Sequence, residues 1–291
     1  MIDAHHHIWV QKDLPWLLGP EVPRIFGTYG AIKRDYLIEE FLEDIKGAGV
    51  EKSVYIQANW APNWFEDEVA WVQSVSDASG WPHGIVGYAD FTVDTVRPQL
   101  DRLKKYPLMR GIRQQFHWHE NPLYRFAATP DVCANKTVQT NIAALADYGW
   151  TFDLQVFVGQ MDSAIELVKA CPQITFILQH AGMPEDRSPD GMRAWREAMT
   201  RLAAYENATS KLSAFGTFIH RNDPDFIAEM LNATVEIFGA ERCLFGSNFP
   251  IEKIWTAYGP LIQAFKNAAA SLPEDQQRAI FHDTAERVYR L

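Results

Sequence analysis

IDAHHHIW, residues 2–9, sets three imidazoles among β-forming apolar residues and reads as a strand. Side chains alternate faces along a strand, so His5 and His7 share a face with Asp3 and Trp9, and His6 takes the opposite one. An appended tag would run longer and would not sit between IDA and IW. Seven more runs of this kind follow: KSVYIQA (52–58), GIVGYADF (84–91), LMRGIRQQF (108–116), TFDLQVF (151–157), ITFILQH (174–180), ATSKLSA (208–214) and RCLFGSN (242–248). Segments with apolar residues every three or four positions separate them, among them YLIEEFLEDIKGAG, DEVAWVQSVSDASG and FIAEMLNATVEIFGA. Gly49, Gly80, Gly149 and Gly239 stand where a left-handed residue would end a helix before the next strand. In the closing segment, Ser271 and Glu274 have capping-box spacing ahead of a last helix. Eight strand-then-helix units predict the α/β class and a (β/α)8 TIM barrel, with residues 1–291 as a single domain. A doubly wound open sheet competes, but no Gly-rich phosphate loop follows an early strand. Residues 10–35, 117–136 and 181–195 read as insertions after strand ends.

The bulk numbers are those of an ordinary globular protein. Of 291 residues 47% are hydrophobic, enough for a sizeable core, and the net charge of −10 argues against nucleic-acid or anionic-membrane partners. No apolar run approaches the ~18 residues of a membrane span, and no signal pattern opens the chain, so a cytoplasmic location is expected. Cys133, Cys171 and Cys243 are odd in number and unpaired in spacing, as reduced core thiols would be.

A barrel of this kind carries its active site at the C-terminal ends of its strands. Those ends are polar here: His5 and His7, Gln57, Tyr88 and Asp90, Arg113 and Gln115, Asp153 and Gln155, His180, Lys211 and Ser213, and Asn248. Two neutral imidazoles at i and i+2 suit a divalent transition metal, zinc being the commonest, although two ligands do not close a site.

DAHHHIW, GIRQQF, FDLQVF, ILQHAGMP, KLSAFG, CLFGSNFP and the terminal FHDTAERVYRL, in that order, resemble the amidohydrolase-2 family of the amidohydrolase superfamily. More narrowly they resemble its lactonase-like branch, which holds fucono- and rhamnono-lactonases, muconolactone hydrolases and pyrone-dicarboxylate hydrolase. The resemblance implies a hydrolase barrel that binds one divalent metal in some members and works without one in others. It maps His5, His7 and His180 onto the metal histidines. Asn248 falls where the superfamily usually has an aspartate that binds metal and shuttles a proton. An amide cannot take a proton near neutral pH, so metal binding would be weak, partial or absent and another base is needed. Asp153 is the first candidate, with a supporting contact to a histidine as the competing role.

The rest of the expected site binds substrate. Arg113 suits a carboxylate or lactone carbonyl, or else pairs with Asp90 or Asp153. His117 could hold a substrate oxygen or be merely solvated. Lys211 and Ser213 could stabilise an oxyanion, or Lys211 could pair with an acid. Gln57 would orient a hydroxyl or water. Trp9, Trp16, Trp60 and Trp64 suit a flat ring, and Glu252 reads as a loop cap or rim charge. The expected reaction is water attack on the carbonyl of a lactone, carboxylated or sugar-derived. A lyase (decarboxylase or hydratase) on the same barrel and a binding protein without a base are the alternatives, and self-association is left open.

Overall fold

The computed structural model describes residues 1–291. Its eight strands are β1 Ile2–His6, β2 Lys52–Ile56, β3 Gly84–Gly87, β4 Met109–Ile112, β5 Thr151–Leu154, β6 Phe176–Leu178, β7 Ala208–Leu212 and β8 Cys243–Phe245. They pair in sequence order, all in parallel. The last strand returns to the first through a His6–Phe249 bridge, with His7 N–H donating to Phe249 O at 2.7 Å and Asn248 N–H to His5 O at 2.7 Å. All eight expected strands are present, and each stops two or more residues short of the expected C-terminal end; β6, for example, stops at Leu178, two before His180. The reason is local. Beyond the last ladder bond the backbone turns into site loops, and Asn59, His180, Ala181, Ala214 and Asn248 there take left-handed φ values between 47° and 60°. Such strain in non-glycine residues persists only where the surroundings enforce it.

The helices that cover the barrel are α1 Ile38–Asp44, α2 Phe65–Ser79, α3 Arg97–Leu103, α4 Lys136–Ala143, α5 Met161–Ala170, α6 Pro189–Ala203, α7 Pro224–Phe238 and α8 Tyr258–Ala269. Gly49, Gly80, Gly149 and Gly239 all have positive φ, as expected of residues that end helical turns. Two expectations need correction. The later part of 181–195 is not insertion, because α6 starts at Pro189, capped by the Ser188 side chain accepting from Gly191 N–H. The Ser271–Glu274 capping box does not form: Pro273 is the N-cap of Glu274–Arg278 and offers no side-chain bond.

Most of the apolar residues between sheet and helices form one core, in which Phe41, Phe91, Phe152 and Trp195 are buried. A second cluster gathers Ile2, Val54, Val86, Ile177 and Leu244 around Ala285, Val288 and Tyr289, so the terminal helix Thr284–Tyr289 plugs the barrel interior. Cys133, Cys171 and Cys243 are buried and unpaired. No helix is long and apolar enough to cross a membrane.

Candidate active site

Alternation puts His6 on the outer face of β1, where its ring stacks on Phe41 of α1 with centroids 3.9 Å apart. His5 and His7 face the opposite way, with ring centroids 5.1 Å apart, and His180 reaches within 4.9 Å of His5. Asp3 does not share their face. The register of β1 against β2 is irregular between Asp3 and His6, and the shift breaks strict alternation. The Asp3 carboxylate instead accepts from Ser247 N–H at 2.8 Å and from the Tyr258 hydroxyl of α8 at 3.0 Å, tying the ends of β1 and β8 to the outer layer. Burial lifts it to about 6.

The three inner imidazoles are kept neutral. Burial first, then neighbouring cations (Lys211 for His5, Arg113 for His7 and His180), pushes all three well below the usual imidazole range. His7 Nδ1 lies 2.7 Å from Ile56 O and His180 Nδ1 lies 2.8 Å from Ser213 Oγ, which fixes both rings. Both nitrogens of His5 are buried without a partner. As the side chains stand, no group of three His, Cys, Asp or Glu is arranged to hold a metal ion. The donor set nonetheless fits one chemically. It offers neutral imidazoles, two of them oriented through the far nitrogen, and one orphaned ring between them.

Above the histidines opens a cavity of about 460 Å³. His7, Trp9, Gln57, Arg113, His117, His180 and Asn248 all line it, as do Trp16 and Trp60, whereas Trp64 is exposed outside. Several buried polar atoms on its wall have no protein partner: Arg24 Nε, Trp60 Nε1, Arg113 Nε, Gln115 Oε1, His117 Nδ1 and Gln155 Oε1. Unpaired buried polar groups are costly, and a binding wall is one place where a ligand repays that cost. Arg113 makes no ion pair. Its Nη2 donates to Gln57 O at 2.5 Å, and burial lowers it to about 10. Burial holds the His117 imidazole down at about 3.

Asp153 and Lys211 are elsewhere: Lys211 takes the second of its two expected roles, pairing with an acid, and that acid is Asp153. Both are fully buried and joined at 2.8 Å. Tyr289 and Gln179 also donate to Asp153, and neither member of the pair lines the cavity. A carboxylate held by three donors and set away from the cavity does not face a substrate there, so it fastens the floor of the barrel. Ser213 holds His180 and is no oxyanion donor in this arrangement. Glu252 is no rim charge either: it is buried behind Asn248 with Oε1 unpartnered, and burial lifts its carboxyl to about 8 against hydrogen bonds from Asn248 and Gly216.

Sequence reading missed Glu68, which lines the cavity. It was hidden among Glu66 and Asp67, which look like ordinary charges in a first helical turn. Its spacing from Phe65, Val69 and Val72, which share the buried face of α2, was the available signal.

The amidohydrolase family profile matches residues 2–291. The chain belongs to this family. Among relatives, the uncharacterised protein y4mH of Sinorhizobium fredii is 35% identical, the match covering 100% of this chain and 98% of that one. The L-fucono-1,5-lactonase of Burkholderia multivorans is 26% identical over 100% of this chain and 96% of its own length. A crystal structure of a Burkholderia multivorans amidohydrolase with bound zinc superposes with a TM-score of 0.83 at 24% identity, covering 100% of this chain and 99% of the other.

Proposed function

We propose that this amidohydrolase-family chain opens a lactone or similar cyclic ester by attack of water on the carbonyl carbon. The observation that carries this reading is the cavity wall. Aromatic side chains (Trp9, Trp16, Trp60 and Phe126) surround unpartnered donors on Arg24, Trp60 and Arg113 and unpartnered acceptors on Gln115 and Gln155. An oxygen-rich ring offers both an apolar face and the complementary polar edge. The lactonase name of a relative matching along the full chain supports the same reaction class over a lyase and favours a sugar-derived lactone, while the buried Arg113 on the wall would also suit a carboxylated one.

Each group has work it can do. Arg113 would face the carbonyl oxygen or a substrate carboxylate with its free Nε. Gln57 accepts from Asn59 N–H at 2.7 Å, which turns its amide nitrogen to the substrate. Asn248 would hold a water or hydroxyl without taking its proton. His5, His7 and His180 would hold one divalent metal, zinc by ligand type, and a bound ion would polarise the carbonyl oxygen as a Lewis acid. The test is a panel of sugar lactones and aromatic-acid lactones followed by proton release at constant pH. Ring opening of at least one class is expected; release of CO₂ from acidic substrates in place of ring opening would overturn the reading.

A further inference from the structure

Of all side chains lining the cavity, Glu68 alone carries a carboxyl group. Its Oε1 accepts from the Tyr55 hydroxyl at 2.7 Å and from Ala58 N–H at 2.6 Å, and Oε2 has no protein donor. One strand end organises this side chain together with two others. Ile56 O holds His7, Gln57 O holds Arg113, and Ala58 N–H holds Glu68, so three consecutive residues at the end of β2 fix three groups of the site. The other groups on the wall are poor proton acceptors. Asn248 is an amide, Arg113 is a cation, the His7 and His180 rings are tied through Nδ1 to Ile56 O and Ser213 Oγ, and burial holds the His117 imidazole down at about 3. Asp153 is consumed by its ion pair, and Glu252 stands behind the wall.

We propose that Glu68 is the general base of the reaction, taking the part that the amide of Asn248 cannot. The inference rests on the lactonase reading. As the water oxygen bonds to the carbonyl carbon, one water proton passes to Glu68 Oε2, and the carbonyl π electrons move to its oxygen. Collapse of this oxyanion breaks the ring C–O bond, and the proton on Glu68 passes to the departing alkoxide. The products are one hydroxy acid and the original carboxylate. Burial raises the Glu68 carboxyl to about 7, with Tyr55, Ala58 N–H and Arg113 favouring the charged form against it, so both protonation states are populated near neutrality. A base poised near the working pH is the most effective kind.

Glu68→Gln tests this, because the amide oxygen can still accept from Tyr55 and Ala58. On any lactone the wild type opens, kcat should fall by the ~10²–10⁴-fold typical of a general base, with KM and melting temperature little changed. The rising limb of the pH–rate profile should vanish, and Glu68→Asp should recover part of the rate. An infrared difference titration of wild type against Glu68→Gln should show one carboxyl with a midpoint near 7, whether or not a substrate is known. A Glu68→Gln enzyme at near wild-type rate, or a midpoint in the ordinary glutamate range, overturns the assignment. Loss of activity in Glu252→Gln with Glu68→Gln intact would move the base to Glu252 and overturn it too. A wild type that opens no lactone defeats the functional reading, and the titration midpoint then decides for or against a poised Glu68.

Discussion

The interior of this barrel holds two polar regions of opposite character. On the floor, Asp153, Lys211, Tyr289 and Gln179 bond to one another and reach neither solvent nor cavity. On the wall, Arg24, Arg113, Gln115, Gln155 and His117 keep buried atoms with no protein partner. In the sequence most members of both regions are polar residues at or near strand ends, Tyr289 and Arg24 excepted. Closure separates them: a network bonded mainly within itself, with only Gln179 Oε1 unpartnered, holds the barrel together, and one left open toward the cavity can receive a substrate.

The floor should fail by stability. Lys211→Met leaves the Asp153 charge buried with only neutral donors, and removing one partner of a buried pair costs about 3–5 kcal/mol. Urea unfolding should show a loss of that order; a loss below about 1 kcal/mol would place the pair outside the fastening network. The wall should fail by binding. Arg113→Met should weaken kcat/KM for acidic lactones by about 2–5 kcal/mol and for neutral ones far less, with little change in unfolding midpoint. Equal losses for both substrate types, or a collapsed fold, would move Arg113 to the structural side of the comparison.

Glu252 sits between the two regions and gives a smaller, pH-dependent effect. Its carboxyl is raised in the folded chain to about 8. The unfolded chain therefore ionises first, and the stability this group allows at low pH is lost as pH rises from the ordinary glutamate range to about 8. Glu252→Gln removes the titration. The stability of the wild type relative to this variant should fall by up to about 1.4 kcal/mol per pH unit across that window and be flat below it. A flat difference throughout would mean that the carboxyl is solvated.

The fold was legible because its signals are local and repeated. Alternating apolar runs gave all eight strands, and the glycines that end helical turns gave their spacing. Alternation also separated His6 from His5 and His7, but the irregular register in β1 defeated it at Asp3. The site was legible where a residue type is rare in a strand, as at His180, Arg113 and Asn248, all of which line the cavity. It was not legible where burial decides the role. Asp153 and Glu68 are both acids near apolar runs, and only the folded chain shows that one is enclosed by donors and the other keeps an oxygen free. Glu252 looked like a rim charge because no local pattern records the loop folding over it.

The central claim is that water attacks the carbonyl carbon of a cyclic ester in this cavity. Ring opening in ¹⁸O-enriched water tests it most directly, read by mass spectrometry of product fragments. The account predicts one ¹⁸O atom in the new carboxyl group and none in the released hydroxyl. Label in the hydroxyl, or a product that has lost its carboxyl group as CO₂, would contradict it.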